Sequence, residues 1–311
     1  MTTTSPRAMA IIGAGVIGLS WARLARDHGW RVAITDPSPQ LEEWVHGEFG
    51  ANDPLVTWSH DQDAVVEGAD LVQENGPERL PLKKQIFGAL LKTAPADAVL
   101  ATSSSSIVAS LIAEDFDRAD RIIVGHPFNP PALMPLVEVV PGNKTSDDTV
   151  TRAVGLYHEL DRAPVVIRKE LPGFVANRLQ MAITREAQYL VESGVVGVGE
   201  FDTILQNSLG LRWATIGLFE GNVLGGGVGG ARHLFAGVGA ETGQIELGTP
   251  SHDPAVVEKL IDDIEATYGV GEATYDRLVA KRDRRSIAVL NALKNTTYPA
   301  ADKPSTGIAG V

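Results

Sequence analysis

His126 and Glu138 are the two residues in this sequence whose types and spacing best suit proton transfer. They lie 12 positions apart, one on each side of a proline-rich turn that begins at Pro127. A short loop would fold the carboxylate back onto the imidazole, where it would fix the tautomer and stabilise the protonated ring. We therefore predict a general base at His126 supported by Glu138. From spacing alone, a structural histidine that caps the turn is the more common case.

A second group of residues has the pattern of a cofactor site. The run Gly13-Ala14-Gly15-Val16-Ile17-Gly18 follows an apolar segment and precedes a helical one. In such a run the first glycine permits a tight turn, the second lets a pyrophosphate approach the backbone, and the third lets the helix pack on the strand. The free N–H groups at the helix N-terminus would face the phosphates. The run therefore predicts a dinucleotide site.

Asp36 indicates which dinucleotide fits. It ends the next apolar segment, 18 positions after Gly18, close to the spacing at which a carboxylate binds the adenosine ribose hydroxyls. Its charge would repel a 2′-phosphate, and the following Pro37 and Ser38 supply no arginine to bind one. The sequence therefore predicts NAD rather than NADP, with a surface aspartate at a strand end as the simpler alternative.

Apolar periodicity predicts the elements that must position these residues. Up to about Val166, short segments rich in Val and Ile alternate with amphipathic ones, which is typical of βαβ units around a mostly parallel sheet. Helices are expected between the strands, for example over Val16–His28 and Leu82–Thr93. The predicted strands are Met9–Ile12, Arg31–Thr35, Ala69–Gln73, Ala98–Ala101, Arg121–Gly125, Leu136–Val140 and Pro164–Ile167.

After Pro172 the pattern becomes helical, and no strand is predicted there. We predict an α/β chain in which residues 7–170 form a Rossmann-type, doubly wound NAD-binding domain and residues 171–295 form an all-helical domain. A tail over residues 296–311, rich in Pro, Gly and Ala, is expected to be loosely ordered. The predicted helices are Phe174–Val191, Phe201–Leu209, Asp253–Tyr268 and Glu272–Leu293.

Composition excludes several classes of protein. The 311 residues, 44% apolar and 21% charged, are enough for two globular domains. Because there is no cysteine, disulfides, thiolate metal sites and a cysteine nucleophile are excluded, and the histidines lack metal-ligand spacing. A formal net charge of -12 disfavours a nucleic-acid partner. Without a signal peptide or an apolar run of membrane length, a soluble, cytoplasmic protein is predicted.

A series of motifs in one order gives a more specific prediction. In this order and spacing they resemble the 3-hydroxyacyl-CoA dehydrogenase family, and the resemblance extends from Met9 to about Lys294. The motifs are IIGAGVIG, Asp36, ENGPERLPLK at 74–83, TSSSS at 102–106, HPFNPP with PLVEVV, and PGFVANR at 172–178.

Further features point to one branch of that family. They are the His-Pro pair at 126–127, GLRWA at 210–214, the three glycines at 225–227 and Arg232-His233. In these the chain resembles the short-substrate branch that includes L-gulonate 3-dehydrogenase, lambda-crystallin and L-carnitine dehydrogenase.

The resemblance implies catalytic roles for individual residues. His126 is similar to the catalytic histidine of the family, and Glu138 is similar to its acidic partner. Asn177 matches an asparagine that steadies the substrate and the histidine. Ser105 matches the catalytic serine if its distance to His126 is kept, whereas alignment on the Thr-Ser pair would select Ser103.

The resemblance also implies residues on the cofactor side and a partner. Glu78 and Lys83 resemble residues near the nicotinamide half of NAD, and Ser103 is placed on the same side. An exposed ion pair at a helix start is the alternative for Glu78 and Lys83. Helical second domains of the family pair with each other, so a homodimer through residues 171–295 is expected.

The implied activity is NAD-dependent interconversion of a small 3-hydroxy acid, or a similar short polar alcohol, and its 3-keto product. A carboxylate substrate needs a cation, and Arg212 is the first candidate, before Arg178 and Arg232. An interdomain or intersubunit ion pair is the alternative for Arg212. The alternative functions are a 3-hydroxyacyl-CoA dehydrogenase, an L-carnitine dehydrogenase that would use Trp213 or Glu220 around the cation, and a crystallin-like NAD-binding protein without catalysis.

Overall fold

The computed structural model describes residues 6–294, and an eight-stranded sheet fills their first part. Across the sheet the strand order is β3-β2-β1-β4-β5-β6-β7-β8. Every neighbouring pair is parallel except β6 and β7, which are antiparallel. The strands are β1 Ala8–Ile12, β2 Arg31–Thr35, β3 Val56–Trp58, β4 Leu71–Glu74, β5 Val99–Thr102, β6 Ile122–Pro127, β7 Leu136–Pro141 and β8 Ala163–Val166.

The central strands are buried on both faces because helices cover both sides of the sheet. In β1 the side chains of Met9 and Ile11 belong to one hydrophobic cluster, and those of Ala10 and Ile12 belong to another. This alternation follows from the two-residue period of a strand. A doubly wound, mostly parallel sheet is therefore confirmed.

Packing divides the chain into two compact units that meet between Leu179 and Gln180. The helices that accompany the sheet are α1 Val16–Asp27, α2 Leu41–Phe49, α3 Gln62–Val66, α4 Leu80–Thr93, α5 Ala109–Ala113 and α6 Asp147–Glu159. The helices from the boundary onwards are α7 Ala176–Glu192, α8 Val198–Leu205, α9 Leu211–Thr215, α10 Leu218–Gly225, α11 Gly230–Ala236, α12 Val238–Thr242, α13 Pro254–Tyr268 and α14 Glu272–Lys294.

All seven predicted strands are present within a few residues of their expected bounds. The sequence missed β3, because Val56–Trp58 is only three residues long and none of them is fully buried. It also missed α9 to α12, which lie between the predicted helices Phe201–Leu209 and Asp253–Tyr268. The predicted tail over 296–311 lies outside the described residues.

Across residues 6–294 the structure contains no helix with both the length and the apolarity needed to traverse a membrane.

Candidate functional site

The antiparallel pair β6–β7 brings His126 and Glu138 together. The two residues are direct cross-strand partners, so their side chains lie on the same face of the sheet. The distance between His126 Nδ1 and Glu138 Oε2 is 2.8 Å. Both side chains are almost completely buried, with the histidine 5% and the glutamate 2% exposed. The geometry is that of an imidazole oriented by a carboxylate.

The second carboxylate oxygen of Glu138 is also occupied. Oε1 accepts hydrogen bonds from the backbone N–H groups of Val175 at 2.8 Å and Ala176 at 3.1 Å, at the start of α7. Burial raises the pKa of the Glu138 carboxyl, but the hydrogen bonds from His126 and from the two backbone groups lower it by more. The pKa therefore lies below its ordinary value, and the group is an ionised acceptor at neutral pH.

Two further side chains contact the imidazole. Asn177 Nδ2 lies 3.5 Å from His126 Nε2, the nitrogen that does not face Glu138. The ring of Phe174 lies with its centroid 5.3 Å from that of His126, at an interplanar angle of 53°. The structure thus brings together three of the predicted catalytic residues, His126, Glu138 and Asn177.

The glycine-rich turn between β1 and α1 has the shape that a dinucleotide needs. Gly13 has φ +98°, and a Cβ there would lie 3.0 Å from the backbone of Asn75. A Cβ on Gly18 would collide with the carbonyl oxygen of Gly13, so the helix can start this close to the strand only with glycine. Gly15 faces open space and is the N-cap of α1, where no side chain caps the N–H groups. These residues fit a bound pyrophosphate.

Val16 and Ile17 follow at the first turn of α1, where Val16 is exposed and Ile17 is half-buried. Asp36 lies beside the same turn: its Oδ2 accepts from Ala14 N at 2.9 Å, and its Oδ1 accepts from Ser38 N at 2.8 Å. Because a carboxylate has about four acceptor positions, this half-buried group keeps capacity for ribose hydroxyls.

The four serines after β5 have different surroundings. Ser104 and Ser106 both donate from Oγ to Glu78 Oε1, at 2.6 and 2.8 Å, and the backbone N–H of Ser106 donates to the same oxygen at 2.9 Å. Desolvation raises the pKa of Glu78, but the hydrogen bonds from these serines outweigh it and hold the pKa below its usual value. Ser105 is exposed and makes no hydrogen bond to another residue within 6–294. Its hydroxyl is therefore available.

Ser103 takes part in a network that the sequence did not reveal. Its Oγ accepts from Gln73 Nε2 at 2.8 Å and from Trp21 Nε1 at 3.2 Å, and donates to Asn75 Oδ1 at 2.7 Å. Gln73 Nε2 also donates to Gly125 O at 3.0 Å, directly before His126. The hydroxyl of Ser103 is thus fully used within the protein and ties the turn after β4 to the histidine strand.

Lys83 is buried, with 1% of its surface exposed, and so differs from the exposed ion pair that was one alternative. Its Nζ lies 2.8 Å from Oε2 of Glu74, which is completely buried, and 3.6 Å from Oε2 of Glu78. Thr102 Oγ1 donates to the same Glu74 oxygen at 2.6 Å. The buried Lys83–Glu74 ion pair therefore packs against Glu78 on the protein side.

Comparisons with known proteins match both parts of the chain to one family. Residues 48–171 match the family model "3-hydroxyacyl-CoA dehydrogenase, NAD binding domain", and residues 173–276 match "3-hydroxyacyl-CoA dehydrogenase, C-terminal domain". An L-carnitine dehydrogenase of Pseudomonas sp. is 36% identical over 306 residues, which are 93% of this chain and 95% of the relative. The chain belongs to the 3-hydroxyacyl-CoA dehydrogenase family. It is accordingly an oxidoreductase with an NAD-binding domain.

A further relative and a solved structure are also similar to the chain. A 3-hydroxyacyl-CoA dehydrogenase of Gibberella moniliformis is 41% identical over 73% of this chain and 75% of its own. Among solved structures, the NAD+-dependent dismutase 5-formyl-3-hydroxy-2-methylpyridine 4-carboxylic acid 5-dehydrogenase superposes with a TM-score of 0.76. It is 28% identical and covers 94% of this chain and all of its own.

The three arginines considered as partners of a substrate carboxylate are all exposed. Arg178 is exposed and follows Asn177, whereas Arg212 and Arg232 are exposed residues of the helical unit. Within residues 6–294 none of the three arginines makes an ion pair. The same described residues contain no group of His, Asp and Glu that could hold a metal ion.

No individual role was predicted from the sequence for Gln73, Glu74 or Asn75, although Glu74 and Asn75 lie within the ENGPERLPLK motif. A signal for them existed, because polar residues at the carboxyl end of a parallel strand face the crevice where ligands of such sheets bind. Phe174 carried no comparable signal, since a single aromatic residue in a loop is usually part of a core.

Proposed function

We propose that the protein oxidises the 3-hydroxyl group of a short carboxylic acid with NAD, with His126 as general base and Glu138 as its orienting partner. The observation that carries the proposal is the buried His126–Glu138 pair, in which the Glu138 carboxylate also accepts hydrogen bonds from two backbone N–H groups. L-carnitine is the first substrate to test, because the relatives named L-carnitine dehydrogenase match nearly the full chain.

The tautomer of His126 follows from its partner. An ionised carboxylate only accepts hydrogen bonds, so His126 Nδ1 carries the proton that lies between it and Glu138 Oε2. The lone pair is then on Nε2, which faces Asn177. Nε2 takes the proton of the substrate hydroxyl, and Glu138 stabilises the imidazolium that forms.

Bound NAD would accept the hydride that leaves the carbinol carbon. Gly13, Gly15 and Gly18 with α1 would hold its pyrophosphate, and Asp36 its adenosine ribose. Val16 and Ile17 would line the same turn. Glu78, with the buried Lys83 behind it and Ser103 in the adjoining network, would form the wall on the nicotinamide side.

Ser105 and Asn177 would hold the reacting oxygen. The free hydroxyl of Ser105 has two neighbours, Ser104 and Ser106, that are both bound to Glu78. Because Glu78 binds the hydroxyl groups on both sides of it, Ser105 is the serine of the four that is proposed to face the substrate. Such donors orient the reacting atoms and stabilise the developing charge.

Arg212 is proposed as the partner of the substrate carboxylate, because it is exposed and makes no ion pair within the described residues. A guanidinium can bind a carboxylate through two parallel hydrogen bonds.

The second candidate substrate, a 3-hydroxyacyl-CoA, is favoured by the 41% identity to the Gibberella enzyme, but the net charge of -12 disfavours a phosphate-rich ligand.

A substrate panel tests the function. We expect NADH to form with L-carnitine or another short 3-hydroxy carboxylate and not with 3-hydroxybutyryl-CoA, and NADH absorbance is the measurement. Turnover of the CoA thioester alone would shift the assignment to an acyl-CoA dehydrogenase. If NAD binds and no compound of the panel reacts, the proposed substrate class is contradicted and the family assignment stands. In the same assay, an unchanged KM for the carboxylate in Arg212→Met would remove that arginine from the site.

Cofactor choice gives a further expected result. Asp36→Asn should weaken NAD binding about tenfold or more and leave NADP binding equal or better. The reason is that hydrogen bonds to a charged acceptor contribute about 1.5–3 kcal/mol each and the repulsion of a 2′-phosphate is lost. Fluorescence titration measures the dissociation constants of NAD and NADP. Asp63→Asn, which changes an exposed aspartate outside the glycine-rich turn, is the control. An unchanged NAD/NADP ratio in the Asp36 variant would contradict the role of Asp36.

A homodimer is proposed from the helical unit. Helices α8 to α14 bury none of their residues in the single chain. Large apolar side chains are exposed there, including Phe219, Leu224 and Phe235. Exposed apolar surface of this extent is typical of an interface, and a second copy of the chain is the partner that the family pattern implies. A monomeric molar mass in light scattering would contradict it.

A further inference from the structure

Phe174 has a backbone conformation that phenylalanine rarely adopts. Its φ is +47°, in the left-handed region, and it directly follows Gly173 with φ +77°. A bulky residue in this region costs about 1–3 kcal/mol, whereas glycine adopts it freely. The side chain is nevertheless completely buried. A strained position occupied by a large side chain indicates that this side chain has a task at the site.

The backbone after Phe174 supplies two of the three hydrogen bonds to Glu138. The left-handed turn directs the N–H groups of Val175 and Ala176 to Glu138 Oε1, at 2.8 and 3.1 Å. The remaining oxygen is left for His126, at 2.8 Å. The turn therefore decides which carboxylate oxygen meets the imidazole.

The ring of Phe174 contacts the imidazole itself. It lies 5.3 Å from the His126 ring, and it belongs to the same buried cluster as Val124 and Val140 of the two strands that carry the base and its partner. Its position is thus fixed by the core of the sheet. Because the imidazole is only 5% exposed, the phenyl ring replaces water along the ring that it contacts.

The charged surroundings of His126 are simple. From β7, Glu138 faces it, and from the turn and α7 it is faced by the neutral side chains of Phe174 and Asn177. Within the described residues, Glu138 is the one ionisable side chain recorded against the imidazole. Loss of the phenyl ring would therefore change the solvation of His126 without removing a charge.

From these contacts we infer that Phe174 is a positioning residue for the base. Its ring keeps the His126 imidazole in place and excludes water from it, and its strained backbone directs two N–H groups to Glu138. The inference rests on the proposed function of His126. It adds that the segment before α7 fixes the position of His126 and Glu138.

Two variants test the inference. Phe174→Leu keeps an apolar side chain, and Phe174→Gly relieves the backbone but removes the ring. We expect both to lower kcat about 10- to 100-fold, the cost of a misplaced reacting group, with KM for NAD unchanged.

Phe116→Leu is the matched control, since Phe116 packs against the same apolar cluster without contacting His126. It should keep the wild-type kcat, and NAD titration shows whether each variant retains a folded cofactor unit. If both Phe174 variants bind NAD and keep kcat within about twofold, the inference is wrong.

Imidazole ¹⁵N shifts separate this inference from the proposed function. In wild type the Nδ1–H tautomer of His126 should predominate, and in both Phe174 variants the two tautomers should mix. A wild-type protein with the Nε2–H tautomer would contradict the proposed base. A wild-type Nδ1–H tautomer that persists unchanged in the variants would contradict the role of Phe174 alone.

Discussion

His126→Gln should lower kcat by about 10²- to 10⁴-fold, the usual contribution of a positioned general base, while NAD binding stays close to wild type. Glutamine can still reach Glu138, but it has no lone pair of suitable basicity to take the hydroxyl proton. The glycine-rich turn and Asp36 are held by their own hydrogen bonds, so the cofactor site is not expected to change. Steady-state kinetics with the substrate found in the panel, together with NAD titration, measures both effects.

Glu138→Gln is the companion variant. A single amide oxygen cannot accept from His126 and also from Val175 and Ala176, so one of these contacts becomes a clash of donors. An amide in the orienting position favours the wrong tautomer, and a loss of similar size is expected. His158→Gln, at an exposed histidine of α6, is the control and should leave kcat and NAD binding unchanged. Wild-type turnover by the His126 variant would refute the assignment of the base.

Lys83→Met should destabilise the sheet-containing unit by about 3–5 kcal/mol, because it leaves Glu74 buried without its cation. Glu74 is completely buried and its carboxylate is paired with Lys83 Nζ at 2.8 Å, so water cannot replace the ammonium. The free energy of unfolding in urea measures the loss. Since Lys83 also approaches Glu78, activity should fall in the same variant.

The neighbouring lysine provides a matched control. Lys84 pairs with Glu114 and Asp115 at 3.0 and 2.7 Å, but these carboxylates are mostly exposed, so Lys84→Met should cost no more than about 1 kcal/mol. The double variant Glu74→Gln/Lys83→Met removes both charges and should recover much of the stability lost in Lys83→Met. If Lys83→Met and Lys84→Met were equally stable, Lys83 would not be buried as the structure shows.

The sheet could be predicted because its central strands are short, apolar and separated by helical segments. β3 could not, since three partly exposed residues carry too little periodicity. The pairing of β6 with β7 also went beyond the sequence. A loop of this length is compatible with several arrangements, and only the register places His126 opposite Glu138.

In the candidate site, too, some features were predicted from the sequence and others appear only in the structure. His126, Glu138 and Asn177 were named from the sequence and the structure brings them together, while their roles stay a proposal. Four consecutive serines are indistinguishable by type, and only their partners separate Ser105 from the others. The burial of Lys83 was not predicted, because its counter-charge, Glu74, lies on a different element.

The register of β6 and β7 has a consequence for how this enzyme family could diversify. Residues 128–135 connect the two strands without contributing to the cross-strand pair, and they are fastened from outside by Arg162 and Ser20. Insertions or exchanges in that connection would leave the pair in register, whereas a slip of one residue in either strand would turn one partner to the opposite face. The connection can therefore change in length and sequence while the His126–Glu138 pair stays anchored in the sheet.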